Sequence, residues 1–211
     1  MIDFLKWKIL NDKEKILSKS LKHCHAKGVY SIYICEGIRI FFTSKEHELH
    51  RNNCIGIRTS IGYCNNLENL SVGFHNHHAH LKLQCLKGNL YNIWGTDKKS
   101  FGMPSFGFTF DSKINGGTGG FTKHDAGFVI GPNSYSKLEK DEALEIWSHE
   151  FHTIYVESGE EVAWIVYEGK ENPDYVPLCF SNWNLQKFSS EDLYKPMTED
   201  ELFYIYNKVF K

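Results

Sequence analysis

The chain has 211 residues, 41% hydrophobic and 15% aromatic, which is enough for one full core with small terminal additions. Charged residues make up 24% and the formal net charge is −2, so no basic face argues for a nucleic-acid partner. The longest lysine-rich stretch, 11–27, carries acidic residues too and reads as a solvated helix face.

The first residues, MIDFLK, lack the basic start and apolar run of a secretory signal, and no later run is long enough to span a bilayer. The six cysteines (24, 35, 54, 64, 85 and 179) show no CxxC spacing, so they are expected to be reduced in a cytoplasmic protein. Ile9, Ile16, Leu17 and Leu21 recur at helical spacing, which predicts a helical segment over 1–27 with Gly28 as its stop. From Val29 the pattern changes to β-branched and aromatic runs: VYSIYIC (29–35), IRIFFTS (38–44) and CIGIRTSIG (54–62). The run SVGFHNHHAHLKLQCL follows, with Gly88-Asn89 as a turn and LYNIWG (90–95) as its expected hairpin partner.

Residues 95–120 are glycine-rich and lack the Lys-Ser or Lys-Thr ending of a phosphate-binding loop. They read as a long surface loop, with a lid over a pocket as the other reading. Strands resume at AGFVIG (126–131), SYSKLEK, LEIWSHEFHTIYV (144–156) and EVAWIVYEG (161–169). Thr198-Glu199-Asp200-Glu201 forms a capping box ahead of a closing helix. One domain over 1–211 is therefore expected, all-β dominated: a barrel or sandwich over 29–170 and a C-terminal extension with a helix over 178–211.

Four histidines fall within positions 75–80. Alternate residues of a strand share a face, which sets His75 and His77 with Ala79, Leu81 and Leu83, and His78 and His80 with Asn76, Lys82 and Gln84. Imidazoles on an inward face need hydrogen-bond partners or a metal, because burying them bare is costly. His152 is the best further ligand, sharing its face with Ile154 and Val156. His149, on the face of Trp147, Phe151 and Tyr155, competes with it. Glu150 lies beside them as a possible ligand, an outer partner of a ligand, or a proton acceptor.

An HxH on one strand, a glycine closing the turn and a later histidine before an apolar strand resemble the cupin family. After His75-Asn76-His77 come three residues, then Leu81, six more residues and Gly88; the spacing is that of the first cupin motif with leucine in place of its glutamate. Ser148-His149-Glu150-Phe151-His152 resembles the second motif without its usual proline and glycine. The resemblance covers about 70–170 and implies a cupin-type double-stranded β-helix, or jelly-roll, barrel with short terminal helices. It also implies a divalent metal on His75, His77 and His152. A neutral three-histidine set suits iron(II), with zinc, nickel, copper and manganese also open by ligand type.

Within cupins the pattern is similar to the thiol dioxygenases, through Leu81-Lys82 and Gly88-Asn89-Leu90. That likeness implies Tyr167 as a hydrogen-bond donor near the metal and Arg58 as the holder of a substrate carboxylate. A cysteine–tyrosine crosslink is not expected, because Leu81 stands where that family has its cysteine. The expected function is a non-heme iron(II) dioxygenase acting on a small molecule such as a thiol. The alternatives are a cupin isomerase, epimerase or lyase on a sugar or small acid, and a non-catalytic small-ligand-binding cupin. A small-molecule substrate is the expected partner, without nucleic acid or membrane; cupins often pair through exposed strands, so a homodimer is left open.

Overall fold

The structure, a computed structural model, describes residues 1–24, 27–48, 73–97, 103–110, 120–172, 176–181 and 194–211. The expected strand CIGIRTSIG, and Arg58 with it, lies outside the described residues. Among the described residues there are three helices: α1 (Ile2–Asn11), α2 (Lys13–Lys19) and α3 (Glu199–Phe210). Twelve strands run in chain order as β1 (Leu21–His23), β2 (Val29–Cys35), β3 (Ile38–Thr43), β4 (Ala79–Lys87), β5 (Leu90–Asp97), β6 (Met103–Phe110), β7 (Phe121–Leu138), β8 (Ala143–Ile146), β9 (Phe151–Tyr155), β10 (Val162–Glu171), β11 (Cys179–Ser181) and β12 (Tyr194–Pro196).

They form two antiparallel sheets, in the orders β12-β1-β2-β3-β10-β4-β8 and β11-β6-β7-β5-β9. The chain alternates between them. It passes from β3 in the first sheet to the stretch around His75 beside β9 in the second, then back to β4 and across to β5. β7 pairs with β5, after which β8, β9 and β10 fall in the first, second and first sheets. This is the strand order of a jelly roll, the fold class expected from the sequence. Bridges from His75 to His152 on one side and to Cys179 on the other also join the two outer strands of the second sheet.

Two large apolar layers and a smaller cluster of Phe74, Ile93, Ile130 and Phe180 hold the fold. Between the sheets, Leu81, Leu83, Cys85, Val162 and Trp164 from the first meet Leu90, Leu138 and Ile154 from the second. On the outer face of the first sheet, Ile32, Ile34, Ile40, Phe42 and Ile165 pack against Leu5 and Ile9 of α1, Ile16 of α2, and Leu202 and Ile205 of α3. The central strands are thus covered on both sides, which is why VYSIYIC and VAWIV read as near-continuous apolar runs. Full burial of each such side chain is worth ~1.5–3 kcal/mol.

Four expectations are corrected. The helical segment over 1–27 breaks at Asp12 and ends at Ser20, whose hydroxyl donates to the Ile16 carbonyl (2.7 Å) and accepts from the Tyr33 N–H (3.0 Å). Leu21–His23 is then a strand, because it finds partners in β2 and in β12 from the far end of the chain. β4 and β5 are not a hairpin: the Gly88-Asn89 turn carries the chain from one sheet to the other. The glycine-rich stretch read as a loop contains β6, which pairs with a single long strand β7 where two shorter strands were expected.

Candidate metal centre

His75 sits in the second sheet between β9 and β11. Its N–H donates to the His152 carbonyl (2.9 Å), and the His152 N–H donates back (2.8 Å). Residues paired in this way project their side chains from the same face. That face is the inner one, since Ile154, two residues beyond His152, belongs to the core between the sheets. The two imidazoles lie with centroids 4.7 Å apart. His77, two residues on, lies 4.7 Å from His75 and 5.0 Å from His152, centroid to centroid. One ring nitrogen from each of the three lies within 4.8 Å of the other two.

The chain crosses from the second sheet to the first between His75 and Ala79. The His77 N–H reaches the Ser148 carbonyl (3.4 Å), and the His78 carbonyl accepts from Asn172 (2.8 Å). His75 and Leu81 therefore do not share one strand face as the alternation suggested; each faces inward from its own sheet. Gly73 makes the approach possible. A Cβ there would stand 2.2 Å from the Phe180 carbonyl oxygen, so only glycine admits the strand at this spacing.

Hydrogen bonds settle which nitrogens are available. His75 Nδ1 lies 3.0 Å from the Gly73 carbonyl oxygen and His152 Nδ1 lies 2.7 Å from Asn92 Oδ1. Both partners only accept, so each Nδ1 carries the proton and each Nε2 keeps its lone pair. The Nε2 atoms of His77 and His152 face each other at 2.8 Å. Burial pushes all three imidazoles below their usual pKa, His77 and His152 well below, and the neighbouring imidazoles depress those two further. Neutral rings with converging nitrogens are the state a divalent ion requires, and the donor set fits one without any carboxylate. Leu81, in the cupin glutamate position, is 4% exposed and part of the apolar core.

The other expected site residues fall elsewhere. His149 and His78 are exposed, so His152 and not His149 joins the cluster. His80 turns to the outer side, its ring 4.5 Å from Trp147 and 3.6 Å from the Glu145 carboxylate. Glu150 closes the turn between β8 and β9: its carboxylate accepts from the Trp147 N–H at 2.8 Å. The role expected of Tyr167 loses its geometric basis. Trp164 and Val166 face the core between the sheets, so Tyr167 faces the other way, packs with the helix layer and donates its hydroxyl to Met1 Sδ.

Sequence reasoning missed Asn92, which holds His152; Trp94, expected from the sequence near the barrel mouth, pairs with His152 across β5 and β9 on the inner face. An asparagine between Leu90 and Trp94 in an otherwise apolar strand face is the signal that pointed there.

No family model matches the chain, and no curated protein does. Among solved structures it is similar to the Drosophila melanogaster CENP-C cupin domain, at 9% identity over 71% of this chain and 75% of that one, with a TM-score of 0.34. It is also similar to Drosophila melanogaster CENP-C bound to CAL1, at 8% identity over 71% and 81%, with a TM-score of 0.33. Likenesses this low carry no weight here: the fold rests on the strand order and the site on its geometry. Among the described residues, no helix is long and apolar enough to cross a membrane.

Proposed function

We propose that this chain is a metal-dependent jelly-roll protein in which His75, His77 and His152 hold one divalent ion, iron(II) first among the candidates, and that it oxidises a small molecule such as a thiol with dioxygen. The observation that carries the metal reading is the convergence of one buried and two half-buried imidazoles, two of the three with their Nδ1 protons already engaged. Three neutral donors leave the full charge of the ion and several coordination positions open, which suits substrate binding beside the metal. The resemblance to thiol dioxygenases supplies the substrate class. When bound, iron(II) would supply the one-electron chemistry that makes dioxygen reactive.

The chain's own residues support that chemistry in definable ways. The Gly73 carbonyl and the Asn92 carboxamide fix the orientations of two ligands. Leu81, Leu83 and Ile154 line the core that the histidine face runs into and keep water from that side. Trp94, paired with His152 across β5 and β9, shares its face of the sheet.

The test is oxygen consumption by protein purified without chelator and loaded anaerobically with iron(II), with cysteine and cysteamine heading a panel of thiols. Uptake that depends on both iron and a thiol, and is absent in His75→Ala, supports the reading. Iron-loaded protein that consumes no oxygen with any thiol removes the dioxygenase assignment and leaves a metal-binding barrel.

A further inference from the structure

Asn92 occupies a position where its residue type is unexpected. It lies on the inner face of β5, opposite Ile154, with Leu90 and Trp94 on either side along the same face, and is fully buried. Asparagine is depleted in strands and its amide is costly to bury. Its Nδ2 has no hydrogen-bond partner among the described residues, so the oxygen is the half of the side chain that makes a contact. That oxygen stands 2.7 Å from His152 Nδ1.

We propose that Asn92 is a positioning residue that sets the tautomer of His152 and thereby the readiness of the three-histidine cluster for a divalent ion. The second half of this statement rests on the metal reading; the first does not. A carboxamide oxygen can only accept, so it holds the proton on Nδ1 and leaves the Nε2 lone pair directed at His77 Nε2, 2.8 Å away. The opposite amide orientation would set an N–H against Nδ1, move the proton to Nε2 and block that nitrogen. His75 is fixed in the same sense by the Gly73 backbone carbonyl, which no side-chain substitution removes. His152 depends on a side chain, so its control is open to mutation. An amide in this place also orients the ring without adding negative charge to the centre, as an aspartate would.

The experiment uses the full chain, ¹⁵N-labelled and stripped of metal, with long-range ¹H–¹⁵N spectra of the histidine rings. The wild type should show His152 as the Nδ1–H tautomer. Asn92→Leu should lose that tautomer's dominance, and Asn92→Asp should keep it. In competition titrations with zinc(II), and with iron(II) under anaerobic conditions, Asn92→Leu should bind ~10–100-fold more weakly, whereas Asn92→Asp restores binding. A role confined to packing would lower thermal stability in both variants and leave the tautomer alone.

A wild-type His152 carrying its proton on Nε2 overturns the proposal, as does an Asn92→Leu variant with unchanged tautomer and unchanged affinity. Should Asn92→Leu fail to fold, the wild-type spectrum and the Asn92→Asp titration still decide. A wild type that shows the Nδ1–H tautomer but binds neither ion defeats the metal reading and leaves the tautomer assignment standing.

Discussion

Gly95→Ala tests how tightly the packing around the histidines is set. A Cβ at Gly95 would stand 2.5 Å from Phe74 Cδ1, 2.8 Å from Cε1 and 3.0 Å from Cγ. Carbon atoms rest at ~3.5–4.0 Å, so the Phe74 ring must retreat by about 1 Å. It has nowhere to go: Phe74 is 1% exposed and shares its cluster with Ile93, Ile130 and Phe180. Overpacking of this kind costs ~1–3 kcal/mol. For a chain of this size each kcal/mol lowers Tm by roughly 2–4 °C. The strain also has a route to the site, because Phe74 precedes His75 and its carbonyl accepts from the Phe180 N–H (2.8 Å).

The assay is urea denaturation of wild type, Gly95→Ala, Phe74→Leu and the double variant. Leucine lacks the ring atoms that clash, so Gly95→Ala should cost little in the Phe74→Leu background, giving a coupling energy of ~1 kcal/mol or more. A Gly95→Ala variant within ~0.5 kcal/mol of wild type, or the same cost in both backgrounds, would refute the reasoning.

Other outcomes follow from the same structure. Thr198→Ala should destabilise by ~1 kcal/mol in thermal denaturation, because Thr198 Oγ1 accepts from the Glu201 N–H (3.2 Å) while the Glu201 carboxylate accepts from the Thr198 N–H (2.8 Å). Glu161 bridges Lys87 (3.0 Å) and Lys208 (2.8 Å), tying β4 to α3. Its burial raises the carboxyl pKa, but hydrogen bonds from Lys208 and Lys87 more than reverse this and hold it below the usual value of 4.5. A depressed carboxylate contributes stability above its unfolded pKa and loses it as pH falls through the folded value. Glu161→Gln should therefore cost about 1 kcal/mol at neutral pH, and denaturation curves of variant and wild type should converge in acid below the usual carboxylate range.

Much of the architecture was legible because local pattern and tertiary environment agree. VYSIYIC and VAWIV are apolar on both faces, and they are covered on both faces. His152 was placed inward by its alternation with Ile154 and Val156, and the inner core contains both. What escaped was non-local. Leu21–His23 continues a helical pattern, and becomes a strand because Tyr194–Pro196 returns beside it. β6 is written in a stretch rich in glycine, where pairing with β7 overrides weak propensity. Tyr167 was within reach of the same alternation rule: Trp164 and Val166 face in, so their neighbour faces out. The resemblance drew it toward the metal against its own parity. Asn92 stood out in the sequence only as a polar residue on an apolar strand face; its role beside His152 depends on register, which sets β5 beside β9.

The central claim is that three histidines form one metal site, and ion-binding stoichiometry tests it most directly. Titration of metal-stripped protein with zinc(II) or iron(II) should give one ion per chain. An ion in excess of Kd by ~100-fold should add ~2.7 kcal/mol of stability. His75→Ala, His77→Ala and His152→Ala should each abolish stoichiometric binding, while His149→Ala, whose side chain is exposed, should leave it intact. Binding that survives His75→Ala and His152→Ala, or a wild type that takes up neither ion, would contradict the account.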